Sequence, residues 1–278
     1  MIEIRNLTKK FGDFTAVDHL NLTIQTGEFF GLLGPNGAGK TTTISMLSTV
    51  LLPTEGEILI DGKRLTRTAM EEKRKLSVIT QEYSMRQDMT MDEVMEYQGR
   101  LYYLPRKVIR ERTEELFAFA DLLEYRRRTV RHLSGGMKRK LMICRALLIE
   151  PEILLLDEPT AGMDALSRRQ MWNLLRRLNE HRMTIILTTH YMEEAQALCE
   201  RVALVNRGKL QKLDTPQQLI QELGSWAVDE TSEDKLVSRY FHEREKAIRF
   251  LEEAGEHASM RATTLEDVFV DCAGRKLG

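Results

Sequence analysis

The stretch Gly34-Pro35-Asn36-Gly37-Ala38-Gly39-Lys40-Thr41-Thr42 carries the plainest chemistry in this sequence. Its spacing fits GxxxxGK[ST], a loop in which glycines let successive backbone N–H groups curl around phosphate oxygens at a helix N-terminus. Lys40 is placed to reach the β- and γ-phosphates of a nucleotide, and the Thr41 hydroxyl to ligate Mg²⁺. A second signal is Ile153-Leu154-Leu155-Leu156-Asp157-Glu158. An apolar strand ending in two carboxylates sets them at the carboxyl edge of an α/β sheet, where such sheets bind ligands. There Asp157 would hold Mg²⁺ and Glu158 would polarise an attacking water as general base, an effect of about 10²–10⁴-fold in rate. A third is Leu133-Ser134-Gly135-Gly136-Met137, ahead of a helix that runs to about Ile149 and stops before Pro151. Ser134 is a natural N-cap, and Gly135 and Gly136 leave N–H groups open at a positive helix end, a second anion site far from the first in sequence.

These residues need strands that end together and helices that begin there. Phe29–Leu33, Ile153–Leu156 and Ile185–Leu187 are short unbroken apolar runs followed by polar residues, the pattern of strands buried on both faces. Residues 2–5, 20–25 and 57–61 instead alternate, as half-buried strands of an antiparallel sheet do. Between Asp92 and Glu150 apolar residues recur at helical spacing, which predicts a helical subdomain over about 84–150 inserted in the sheet domain. Val202–Val205 and Lys209–Leu213 flank Asn206-Arg207-Gly208 as a hairpin, and Thr215-Pro216 opens a helix to about Leu223. The expected fold is an α/β P-loop core, a mostly parallel sheet flanked by helices, with an antiparallel β-subdomain at its N-terminal end. Residues 1–223 form its main domain. Residues 224–278 are expected to be an appendage, with an amphipathic helix over Ser238–Ala254.

The composition suits a cytosolic chain: 42% hydrophobic residues for a core, 30% charged residues, and a net charge of −1, which excludes a general nucleic-acid binder working through a strong positive field. No run approaches the ~20 apolar residues of a membrane-spanning helix. Met1-Ile2-Glu3-Ile4 begins directly as strand, without the build of a signal peptide. Cys144, Cys199 and Cys272 form no CxxC pair and read as reduced packing residues.

Taken together, GPNGAGKTT, LSGGM, LLLDEP and Thr188-Thr189-His190 resemble the ordered motifs of ABC-transporter ATP-binding subunits, over about residues 2–223. The resemblance implies a head-to-tail dimer with two ATP molecules between the subunits, each phosphate loop facing the partner's Ser134–Gly136 segment. It also implies individual roles. Phe11 falls where an aromatic stacks on adenine, and Gln81 where a glutamine touches Mg²⁺ or water and links to the helical subdomain. Asp164 matches an aspartate that crosses the dimer interface, and His190 a histidine that contacts the γ-phosphate. Met137, Met163 and Thr80 depart from the residues the family often has there, and none of these changes removes a catalytic group.

Thr188–Ala195, Leu133–Arg139 and Thr264–Phe269 resemble the drug-resistance branch of exporters, in which the ATPase pairs with a separate integral membrane permease. That implies a homodimer, or a heterodimer with a sister ATPase, held peripherally on the inner face of the cell membrane. A permease helix would dock near Gln81–Met89, with Tyr83, Met85 and Met89 as contacts. One rival, a GTPase or small-molecule kinase, would leave LSGGM unexplained, and Asn206-Arg207-Gly208-Lys209 lacks the aspartate of a guanine-reading NKxD. The other, a soluble ABC ATPase acting on ribosomes or nucleic acid, usually carries two fused ATPase units or long coiled coils.

Overall fold

The computed structural model describes residues 1–82, 85–232, 235–255 and 258–274. Strands β1 (Ile2–Phe11) and β2 (Phe14–Ile24) form a hairpin, and β3 (Phe29–Leu33) runs into the glycine loop and helix α1 (Lys40–Leu47). The chain continues through β4 (Glu55–Ile60), β5 (Lys63–Arg64), a short α2 (Met70–Arg74) and β6 (Leu76–Ile79). An antiparallel sheet of order β2-β1-β4-β5 results, as the alternating N-terminal pattern requires.

Helices α3 (Met91–Leu101), α4 (Arg106–Phe119) and α5 (Gly135–Leu147) follow. A capping box starts α3: the Thr90 hydroxyl accepts from the Glu93 N–H while Glu93 accepts from the Thr90 N–H. Next come β7 (Ile153–Asp157), α6 (Ala165–Glu180), β8 (Thr184–Thr189), α7 (Met192–Leu198), β9 (Arg201–Asn206), β10 (Lys209–Asp214) and α8 (Pro216–Leu223). The central six-stranded sheet has the order β10-β9-β3-β8-β7-β6 and is parallel except at the β10 edge. The β9–β10 hairpin and the Thr215 cap with Pro216 at the first helical position are as the sequence predicts.

Alternation within the apolar strands divides their side chains between two cores. Phe30, Leu32, Leu155 and Ile186 pack with Ile2, Leu20 and Ile58 of the antiparallel sheet. Their neighbours Phe29, Leu33, Leu154, Leu156, Ile185 and Leu187 pack with α3, α5, α6 and α7 through residues such as Met95, Leu141, Leu175 and Ala195. Both faces are covered, so polar residues such as Asp157, Thr188 and Thr189 appear only towards the ends of these strands.

Beyond Gly224 lie β11 (Trp226–Ser232), β12 (Lys235–Phe241), α9 (Arg244–Ala254), β13 (Ala258–Ala262) and α10 (Leu265–Gly274), with the three strands antiparallel in the order β12-β11-β13. The expected helix over Ser238–Ala254 is therefore wrong in its first turn. Ser238–Phe241 pair with Trp226–Asp229 as strand, and the helix begins only at Arg244. Local amphipathic spacing lost there to an antiparallel ladder with β11 that runs from the pairing of Trp226 with Phe241 to that of Ser232 with Lys235. Helix α10 packs on α7 and α8, where Leu265 and Val268 join the main core beside Leu198 and Leu219. Among the described residues no helix is long and apolar enough to cross a membrane.

Candidate active site

The phosphate loop is the turn between β3 and α1. A side chain at Gly34 would put its Cβ 2.3 Å from the Val205 carbonyl oxygen, and Gly39 has φ +100° with Ala16 O 2.4 Å from an added Cβ. Both positions thus require glycine, one for close approach and the other for a left-handed backbone as well. Pro35, Asn36, Gly37 and Ala38 complete the loop, with Asn36 and Gly37 exposed. Lys40 is buried, and its ammonium donates to the carbonyls of Gly34 (2.8 Å) and Pro35 (3.2 Å). Burial lowers its pKa, and the nearby Glu158 carboxylate opposes that shift. Thr42 follows within the first turn of α1.

Parallel pairing of β3 with β8 and of β8 with β7 brings three strand ends to one edge of the sheet. Thr41 Oγ1 donates to Asp157 Oδ1 at 3.3 Å, and Thr188 Oγ1 donates to the same oxygen at 2.5 Å. Glu158 Oε1 lies 3.6 Å from Lys40 Nζ, and Glu158 Oε2 lies 3.1 Å from His190 Nδ1, a close approach without an aligned hydrogen bond. Glu158 has φ +48°, an uncommon left-handed backbone for a residue with a side chain. Its N–H donates to Thr188 O (3.0 Å), while its own carbonyl accepts from Arg139 (3.2 Å). The structure thus gathers Lys40, Thr41, Asp157, Glu158 and His190 from positions up to 150 residues apart. Thr41 and Asp157 offer the hard oxygen donors that suit Mg²⁺, which commonly takes one or two carboxylates and fills its remaining positions with phosphate and water.

The other sequence-derived candidates lie around this centre. Gln81 is exposed just beyond β6, and its carbonyl accepts from Arg139 at 3.3 Å. Ser134 and Gly135 are exposed at the start of α5, where the Ser134 hydroxyl accepts from Met137 N–H. Gly136 faces Ser167, whose hydroxyl would be 3.4 Å from an added Cβ. Asp164 caps α6, accepting from the Ser167 N–H (2.9 Å) and hydroxyl (2.6 Å), and these bonds lower its pKa. Phe11 ends β1 with 47% of its surface exposed, directly across the hairpin from Phe14 at 62%. Cross-strand partners share a face, so the two rings offer one apolar platform. Tyr83 lies outside the described residues.

Sequence reasoning passed over several supports. Thr188 bridges to Asp157, Phe14 doubles the platform, and Arg139 and Glu194 are buried charged groups. Arg139 is the middle member of the basic run Lys138-Arg139-Lys140 in α5, and nothing in that run tells which member turns inward. Glu194 sits in an acidic pair, and nothing in that pair tells which member turns inward.

A glycine loop between a buried strand and a helix, with a second parallel strand ending in Asp-Glu two places away in the sheet, defines a P-loop nucleoside triphosphatase. The ABC transporter family profile matches residues 17–161. The chain is 35% identical to the Nod factor export ATP-binding protein I of Cupriavidus metallidurans, over all of this chain and 98% of that one. It is 33% identical to a daunorubicin resistance ATP-binding protein of Streptomyces coeruleorubidus, covering 98% of this chain and 96% of the relative. An ATP-binding cassette solved as a dimer with ADP and Pi superposes with a TM-score of 0.69 at 29% identity, covering 77% of this chain and 98% of that one. The ATP-binding subunit of an ABC transporter matches 98% of this chain and 99% of its own with a TM-score of 0.74; at 22% identity it speaks for the fold alone. The chain belongs to the ABC transporter family, in its drug-resistance-type exporter branch. It is an ATP-binding, ATP-hydrolysing subunit that powers a separate membrane permease.

Proposed function

We propose that two copies of this chain, or this chain and a sister ATPase, close head to tail on two ATP molecules and reopen after hydrolysis to drive export. The observation that carries the reading is the constellation of Lys40, Thr41, Asp157, Glu158 and His190 at one sheet edge. The adenine stacks on Phe11, the loop from Gly34 to Thr42 holds the phosphates, and Lys40 leaves its carbonyl partners for the β- and γ-oxygens. Glu158 draws a proton from the attacking water, and His190 meets the γ-phosphate. Thr41 and Asp157, with Gln81, would hold Mg²⁺, which when bound neutralises charge on the β- and γ-phosphates. The exposed N-terminus of α5, with Ser134, Gly135 and Gly136, presents N–H dipoles to the partner's γ-phosphate, and Asp164 lies at the same interface.

The permease docks beside Gln81. A cavity of about 390 Å³ is lined there by Met85, Arg86, Met89, Val94, Tyr97 and Leu101, and such pliable apolar side chains suit a helix laid into a groove. Docking would hold the chain on the inner face of the cell membrane. The relatives named for Nod factor export and daunorubicin resistance support outward transport. A net charge of −1 gives no support to a nucleic-acid partner. The test is a pull-down of Glu158→Gln with ATP from detergent-solubilised membranes, beside the unmodified chain. An integral membrane protein enriched with the variant is the expected result, and an ATP-dependent dimer that brings ribosomes, DNA or nothing overturns the reading.

A further inference from the structure

Arg139 is 1% exposed and is the largest fully buried side chain among the described residues. It lies in the second turn of α5, the helix whose first residues are Gly135 and Gly136. Its guanidinium reaches two loops that have no sequence relation to each other. One nitrogen donates to Thr80 O at 2.7 Å, and the other to Gln81 O at 3.3 Å and Glu158 O at 3.2 Å. Burying a cation is costly unless its hydrogen bonds are made, so these carbonyls are held as much as they hold. The fork geometry matters: a planar guanidinium fixes the relative position of groups on its two arms, which an ammonium on a flexible stem does not. One of the groups so fixed is the carbonyl of Glu158, whose left-handed backbone needs support from outside the residue itself.

We propose that Arg139 is a positioning residue: its guanidinium registers the Gln81 loop and the Glu158 loop against α5, so that a shift of α5 resets both together. The inference rests on the dimer reading above, in which the N-terminus of α5 meets the ATP held by the other subunit. Engagement of that ATP at Ser134–Gly136 then reaches the hydrolytic Glu158 of the same chain through one side chain, about one helical turn further along α5. Hydrolysis at one site becomes sensitive to occupancy of the other, a coupling between sites carried by a named contact.

The test compares Arg139→Met, which keeps length and apolar packing, and Arg139→Lys, which keeps charge, with the unmodified chain. The readouts are ATP hydrolysis, equilibrium binding of a fluorescent ATP analogue to the monomer, and ATP-driven dimerisation in the Glu158→Gln background. Arg139→Met is expected to lower kcat about 10–100-fold, the scale of a misplacement near 1 Å. Monomer nucleotide affinity should stay within about threefold, because the carbonyls of Thr80, Gln81 and Glu158 that the guanidinium holds lie outside the phosphate loop. Any cooperativity in ATP should fall to a Hill coefficient of about 1. Arg139→Lys should recover part of kcat but not the cooperativity. If Arg139→Met does not yield folded protein, the lysine variant decides, since it must separate cooperativity from binding. Unchanged kcat and cooperativity in a folded variant overturn the inference while leaving the dimer reading intact. Failure of Glu158→Gln alone to dimerise with ATP overturns the dimer reading, and the inference with it.

Discussion

Replacing Glu194 with alanine tests how the segment after Glu158 is held. Glu194 is fully buried, and one carboxylate oxygen accepts from the Thr160 hydroxyl (2.7 Å) and the Trp172 indole N–H (3.0 Å). Three segments meet there: the loop between Glu158 and Asp164, helix α6, and helix α7 behind His190. Truncation leaves two buried donors without an acceptor, each costing about 1–3 kcal/mol. The hydroxyl can rotate to another partner and the indole cannot, so a total of about 3 kcal/mol is expected, or roughly 6–12 °C in melting temperature. Glutamine keeps an acceptor in place and should cost less than about 1 kcal/mol. The two variants also separate charge from hydrogen bonding through pH. Burial raises the pKa of Glu194 above its ordinary 4.5, against the lowering effect of its hydrogen-bond donors. A carboxyl whose folded pKa is raised binds its proton more tightly in the native state, so its favourable contribution is present at low pH. That contribution is lost as pH rises from the unfolded value through the folded one. Denaturant melts across this range should therefore show the unmodified chain gaining on Glu194→Gln as the solution is acidified. Parallel pH profiles, or an alanine variant as stable as the parent, would refute the reasoning.

Two further outcomes follow from particular contacts. Gly39→Ala places a methyl 2.4 Å from Ala16 O on a backbone at φ +100°, so the loop must reshape at a cost of about 1–3 kcal/mol. Isothermal titration should show ATP affinity falling at least about tenfold while the fold persists by circular dichroism. In the C-terminal segment, burial raises the pKa of Asp267, but Arg261 and the Thr264 N–H and hydroxyl overcome this and hold it at about 2. A depressed carboxyl stabilises the native state above its ordinary value of 3.8, and that stabilisation is lost as pH falls from there towards about 2. Hydrogen exchange in β11 and β13 should therefore quicken over that interval, and Asp267→Asn should flatten the dependence.

How much of this was open to reading in advance differs by element. The phosphate loop, the Asp157-Glu158 strand end and the Ser134 cap are legible because their chemistry is local: a few consecutive residues set φ, supply N–H groups or end a strand. The two-sided burial of β3, β7 and β8 is legible too, since an unbroken apolar run has no other inexpensive home in water. Ser238–Phe241 could not be read, because strand there depends on pairing with Trp226–Asp229, and helical spacing over so few residues does not oppose a full ladder. Nor could the sequence say that Thr188 would share an oxygen of Asp157, that Arg139 would join Thr80, Gln81 and Glu158, or that Glu194 rather than Glu193 would turn inward. Those contacts join residues 19 to 59 positions apart. Residue types and short spacings announced the phosphate chemistry, because charge and backbone geometry act over a few residues. The arrangement that holds Glu158 in place came only from packing, because it is made where distant segments exclude water together.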